Sequence, residues 1–110
     1  MDDDLADRIR RQIGDDPNIG EIKMFGGLCF TLNGNMLVCS SRDGGLLARI
    51  GEDAMPEALR QPGVAAMKMA GKDSKAFIRI NEDVLDDTAL RTWIARATSF
   101  VGAMPAKAQK

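Results

Sequence analysis

Leu28-Cys29-Phe30-Thr31-Leu32-Asn33-Gly34-Asn35-Met36-Leu37-Val38-Cys39-Ser40-Ser41 is the stretch that decides the fold. Two apolar runs of strand length flank an Asn-Gly pair, and both residues of that pair tolerate the positive φ that a tight hairpin turn demands. Alternation sends Leu28, Phe30 and Leu32 to one side and Cys29 and Thr31 to the other. Two registers fit. A three-residue Asn33-Gly34-Asn35 loop sets Phe30 against Val38, Leu32 against Met36 and Cys29 against Cys39. A two-residue Asn33-Gly34 turn sets Phe30 against Leu37 and sends Cys39 to the core side.

Outward from this hairpin the same chemistry repeats. Ile22 to Phe25 precedes it, separated by Gly26-Gly27, which is either a bulge in one long strand or a tight corner. Leu46 to Ile50 follows it after Arg42-Asp43-Gly44-Gly45. Ala66 to Ala70 and Ala76 to Ile80 form a later strand pair around Gly71-Lys72-Asp73-Ser74, with Ile78 and Ile80 on one face and Phe77 on the other. Leu46 and Leu47 likewise divide between faces.

Helical periodicity marks three further segments. Leu5, Ile9 and Ile13 give an apolar stripe over Asp3 to Ile13, with aspartates at its start and arginines toward its end, as the helix dipole favours. A short helix over Asp53 to Arg60 is expected to be capped by Asp53, with Pro56 in the first turn. Leu90, Trp93, Ile94, Ala97, Phe100, Val101 and Met104 define the last helix, with Asp86 as N-cap and Leu85 stapling onto Leu90. These elements predict one α+β domain over 1–110. It has an antiparallel sheet of about five strands in the order α-β(3)-α-β(2)-α, helices mainly on one face, and a loose tail over 104–110.

Composition narrows the chemistry. The 110 residues are 45% apolar and 28% charged, with a formal charge of -1, which disfavours a binder held by an excess of Lys and Arg. The N-terminus is acidic where a secretory signal is basic and then apolar, and no run approaches membrane-spanning length, so the expected location is cytoplasmic. There is no histidine and no tyrosine. Ser-His and Cys-His nucleophiles, His-containing metal sites and phenolic acids are thereby excluded. Gly71-Lys72 fails as a phosphate loop, because Ala66 stands at the earlier glycine and Asp73 at the magnesium-binding hydroxyl. Gly26-Gly27 opens no helix, so it is not a dinucleotide fingerprint. The paired aspartates sit at helix ends, where capping explains them. Cys29 and Cys39 read as buried, inert thiols in a reducing compartment, with redox sensing or a weak metal contact as the alternative. Neither a catalytic residue, a metal site nor a cofactor is expected.

Arg49, Lys68, Lys72, Lys75 and Arg79 fall on neighbouring strands and turns, either as a solvated rim or as a patch for an acidic protein or nucleic acid. The sheet face opposite the helices carries some apolar residues, covered either by loops and edges or by a second copy or another protein.

Lys23-Met24-Phe25-Gly26-Gly27-Leu28-Cys29-Phe30, then Asn33-Gly34-Asn35-Met36, Leu47-Ala48-Arg49-Ile50-Gly51, Pro62-Gly63-Val64 and the Leu90 to Pro105 helix together resemble the N-terminal domain of TfoX/Sxy competence regulators. The similarity runs from about Ile22 to Lys107. It implies an α+β sheet domain and a link to transcriptional control of DNA-uptake genes. Full-length competence regulators carry a second, C-terminal domain, and this chain ends just after the first. The resulting expectation is a non-enzymatic regulatory module that binds a protein, with transcription machinery or a second copy as partner. Nucleic-acid binding is the alternative, followed by a small-molecule or thiol activity through Cys29 or Cys39. Met24, Phe25, Arg49, Lys72 and Arg79 are the candidate partner-binding residues, and Gly26, Gly27, Asn33 and Gly34 the structural turns.

Overall fold

The computed structural model describes residues 4–14, 16–24, 27–41, 45–69 and 71–105. Among these, helix α1 (Asp4–Ile13) leads into strands β1 (Ile19–Met24), β2 (Gly27–Leu32), β3 (Asn35–Ser40) and β4 (Leu46–Arg49). A 3-10 turn (Glu52–Ala54) and the short helix α2 (Met55–Ala58) follow, then β5 (Val64–Met69) and β6 (Lys72–Ile80). A second 3-10 turn (Glu82–Val84) precedes helix α3 (Asp87–Gly102). The strands form one antiparallel sheet in the order β1-β2-β3-β4-β6-β5. The architecture is the expected α+β type, with six strands and four of them before α2. The extra strand is the first: Met24 pairs with Gly27, so the chain reverses between them and the corner reading of Gly26-Gly27 holds. Phe25 and Gly26 themselves lie outside the described residues.

Asn33 (φ 54°) and Gly34 (φ 83°) both take left-handed conformations, the requirement of a two-residue hairpin turn whose twist matches the strands. Leu32 therefore pairs with Asn35 and Thr31 with Met36. One step further the register shifts, and Phe30 meets Val38 and Cys29 meets Cys39. Leu37 is the extra residue. Each sequence register is thus correct over part of the hairpin, and a β-bulge joins them. The bulge lets the consecutive residues Leu37 and Val38 both enter the main core.

That core lies between the sheet and the helices. Phe30, Val38, Leu46, Ala48, Ile78 and Ile80 from the sheet meet Leu5 and Ile9 of α1, Met55 and Ala58 of α2, and Leu90, Ile94, Ala97 and Val101 of α3. Burial of each of the larger of these side chains contributes about 1.5–3 kcal/mol, and of each alanine less. Asp86 accepts from the Ala89 amide at 2.7 Å, as an N-cap should, and Leu85 is buried beside Leu90. Arg8 donates to the Leu85 carbonyl and pairs with Asp87, tying α1 to the start of α3.

Three expectations need correction. Asp53 does not cap α2, whose N-cap is Ala54 with no side-chain bond; the preceding 3-10 turn absorbs Asp53 into its own first turn. Phe100 is 37% exposed, its ring lying over Gly51 rather than within the core cluster. The loose tail expected over 104–110 does not include Met104 and Pro105. Met104 packs on the core, and the Pro105 carbonyl accepts from Asn35 Nδ2 at 2.9 Å; 106–110 lie outside the described residues. No helix among the described residues is long and apolar enough to cross a membrane.

Candidate functional site

The face of the sheet turned away from the helices is built by strand parity. Cys29, Cys39, Leu47, Met67 and Phe77 form a second, smaller apolar cluster there, with Met36 and Ala76 packed against it. Its members are buried within the single chain, at 8% exposure or less. The members of this cluster are therefore covered by the chain itself, while Ile22, opposite Cys29 on the edge strand, is 44% exposed. Part of the cover is cationic. Arg49 lies opposite Phe77 in the β4–β6 pairing, and its guanidinium carbon stands 5.6 Å from the ring centroid, a cation–π distance.

Arg49 is incompletely satisfied. Its Nη1 donates to the Met36 carbonyl at 3.5 Å, the outer limit of a hydrogen bond. Its Nε is buried and has no hydrogen-bond partner. Among the described residues no carboxylate pairs with it. A desolvated donor left without an acceptor costs about 1–3 kcal/mol, so this group stands out from the arginines of the opposite side. Those are neutralised: Arg10 by Asp7 and Glu21, and Arg96 by Glu57. The hydrogen bonds from Arg10 and Arg96 hold the Glu21 and Glu57 carboxyls below the usual range.

Arg79 occupies the same face as Arg49. It pairs with Leu47, two positions along β6 from Phe77, donates to Ser41 Oγ at 3.4 Å and lies against the Gly45 backbone. The other expected basic residues do not join them. Lys72 opens β6 while Arg79 is near its end, a separation of up to ~23 Å along an extended strand. Lys68 is paired with Asp73 at 2.9 Å, and Lys75 is exposed. Met24 ends β1, and Phe25 lies outside the described residues. The basic edge read from the sequence is thus an Arg49–Arg79 pair flanking Leu47, plus separate lysines at the distal hairpin.

Two features of this face emerge only with the structure, the first of them left open between two registers in the sequence. Cys29 and Cys39 are joined by a disulfide, with Cα atoms 3.9 Å apart, which corrects the expectation of free inert thiols. The cause is the Leu37 bulge, which brings the two residues directly opposite. The orphaned Arg49 Nε is the other, since burial of one atom has no sequence signature. On the helix side, a separate groove of about 480 Å³ runs between α1, β1 and α3. It is floored by Ile13, Ile19, Leu32 and Ile94, with Arg91 and Asp16 on its rim. None of the expected site residues lines it.

Comparison with known families is specific on one point. Residues 12–101 match the model of the TfoX N-terminal domain. No curated protein and no solved structure matches the chain.

Proposed function

The chain belongs to the TfoX N-terminal domain family, and from that premise we propose that it is a non-catalytic regulatory domain of competence-type gene control, acting in the cytoplasm by docking an acidic protein segment onto the Arg49 face. The family gives the regulatory role in its coarse form. The observation that carries the docking reading is the half-buried Arg49, held over the Phe77 ring and paired with no carboxylate among the described residues. A carboxylate of a partner pairs with the part of the half-buried Arg49 side chain that stays accessible, through charge-assisted hydrogen bonds roughly twice as strong as neutral ones. Arg79 on the adjacent strand lies on the same face. Arginine is also among the residues in which binding energy concentrates at protein interfaces.

Nucleic acid is the competing partner, and the geometry favours it less. Lys68 is neutralised by Asp73, Lys72 stands far from Arg79 along β6, and the formal charge is -1.

The test is transcriptional. Cells lacking the gene are complemented with the wild-type chain, Arg49→Ala or Arg49→Lys, and transcripts of DNA-uptake genes are quantified. Deletion is expected to change those transcripts several-fold and the wild type to restore them. Arg49→Ala should fail to restore them while melting within about 4 °C of the wild type, a shift of roughly 1 kcal/mol. Full complementation by Arg49→Ala would overturn the docking reading, and unchanged transcripts on deletion would overturn the regulatory one.

A further inference from the structure

The cysteine pair lies under this same face, and its position suggests more than a staple. Cys29 and Cys39 are ten residues apart, in a hairpin that the Asn33–Gly34 turn and the β2–β3 ladder already close. Loop closure of that length constrains the unfolded chain little, so the bond adds less stability than a long-range bridge. Its structural consequence is local and specific. Without the bulge, the two-residue turn would run its register straight through, setting Cys29 opposite Val38. With the two-residue turn in place, the two cysteines face each other only in the bulged register, which the disulfide pins. The bulge in turn lies between Cys39 and Met36, and the Met36 carbonyl is the hydrogen-bond acceptor of Arg49.

We propose that Cys29 and Cys39 form a reversible dithiol–disulfide site, exchanging with a low-molecular-weight thiol/disulfide couple of the glutathione class, and that its oxidation state fixes the β3 bulge on which Arg49 is seated. The inference deepens the docking reading and rests on it for its consequence, though not for its chemistry. In the oxidising direction one cysteine thiolate attacks a sulfur of the small disulfide, forming a mixed disulfide and releasing one small thiolate. The second cysteine thiolate then attacks the protein sulfur of that mixed disulfide, releasing the second small thiolate. Two electrons pass from the protein sulfurs to those of the small disulfide, and the two thiol protons go to the departing thiolates. Reduction runs the same steps backwards, with two small thiols consumed per bridge.

Access is set by the edge of the sheet. Both cysteines are buried, but β1 is an edge strand, and Ile22, the residue opposite Cys29, is 44% exposed. Edge strands open at lower free energy than central ones. Peeling β1 back uncovers Cys29 before Cys39, so Cys29 is the sulfur that exchanges with the small molecule and Cys39 the one that resolves it.

The experiment equilibrates the full chain in buffers of graded reduced-to-oxidised glutathione ratio, quenches with an alkylating reagent and reads intact mass. Amide hydrogen exchange is measured on the same samples. The expected result is a reversible transition from no labels to two. With it, exchange of the Met36–Ser40 amides should speed up by about tenfold or more in the reduced chain while the α3 amides stay unchanged. A bridge that persists at every ratio, or never forms, overturns the redox site. Equal exchange in both states overturns the link to the bulge. The reduced wild-type chain serves as its own variant, and Cys29→Ser/Cys39→Ser should reproduce its exchange pattern. Thiol state and exchange are independent of transcription. A chain that titrates as expected but leaves DNA-uptake transcripts unmoved therefore removes the regulatory reading and keeps the redox site.

Discussion

Gly27→Ala is the substitution for which the sheet geometry gives the sharpest expectation. A methyl group built on Gly27 overlaps the Ser40 carbonyl oxygen outright and comes within 2.9 Å of its carbonyl carbon, where carbon–carbon contact begins near 3.5–4.0 Å. Both obstructing atoms are backbone, so no rotamer change relieves the clash, and β2 must move away from β3. That movement breaks the ladder at the Leu28–Ser40 pair and the two 3.3 Å bonds through which the Ser40 hydroxyl accepts from the Leu28 amide and donates to its carbonyl. Each lost bond costs about 1 kcal/mol, and a buried hydroxyl left unsatisfied a further 1 kcal/mol or more. The total is about 3–4 kcal/mol, a large fraction of the 5–15 kcal/mol typical of a domain. For a chain of this length it lowers the melting temperature by roughly 12–16 °C. The assay is thermal melting by circular dichroism, with urea unfolding to verify an unchanged m-value. Gly20→Ala is the matched comparison on the neighbouring strand. Its methyl meets only the rotatable Thr31 hydroxyl, at 3.0 Å, and it should cost under about 1 kcal/mol. A Gly27→Ala protein melting within 2 °C of wild type, or below Gly20→Ala in its effect, would refute the close-approach argument.

Two further expectations concern contacts remote from the proposed site. Arg10 holds the Glu21 carboxyl below its ordinary value chiefly by hydrogen bonding. The stability this contributes is present above the unfolded carboxyl pKa of about 4.3 and disappears as pH falls through the lower folded value. Glu21→Gln should therefore melt slightly below wild type at pH 7 and indistinguishably from it near pH 2. A difference that widens on acidification contradicts the assignment. Asn35→Ala removes the 2.9 Å bond to the Pro105 carbonyl from a nearly buried side chain, at an expected cost of about 1–2 kcal/mol. Amide exchange at Ala103 and Met104 should accelerate with it, and protection there equal to wild type would show that the chain end is held by core packing alone.

The legible part of the fold was the part governed by period and turn chemistry. Residues of α1 and α3 recur at helical spacing because one stripe must be buried. Leu46 and Leu47, or Phe77 and Ile78, divide between two apolar clusters because strand side chains alternate. Asn33-Gly34 named its turn because few residue pairs accept two positive φ values. What escaped has a common physical origin in non-local geometry. A bulge leaves no mark in composition: Leu37 is an apolar residue in an apolar strand, and only the pairing with β2 shows that it is unopposed. The ends of α2 went wrong for a similar reason, since Asp53 is a good cap in isolation and tertiary context turned it into the first turn of a 3-10 segment. The basic edge was overcounted because sequence adjacency of strands does not reveal which lysine already has its carboxylate, as Lys68 has Asp73.

The unread bulge also accounts for the site. Its extra residue brings Cys29 and Cys39 into opposition, and the same β3 segment supplies the Met36 carbonyl to Arg49. An arginine seated on regular ladder geometry would compete with an amide of the neighbouring strand for that carbonyl. At an irregularity the carbonyl retains capacity for a weak, 3.5 Å bond, which positions the guanidinium over Phe77 without satisfying it. Folding stability alone gives no reason to keep such a donor, since an apolar side chain over Phe77 would avoid the cost of the orphaned Nε. An Arg49→Leu chain that unfolds at equal or higher urea concentration than wild type, yet fails to restore transcription, would separate the two demands on this position and assign the arginine to binding.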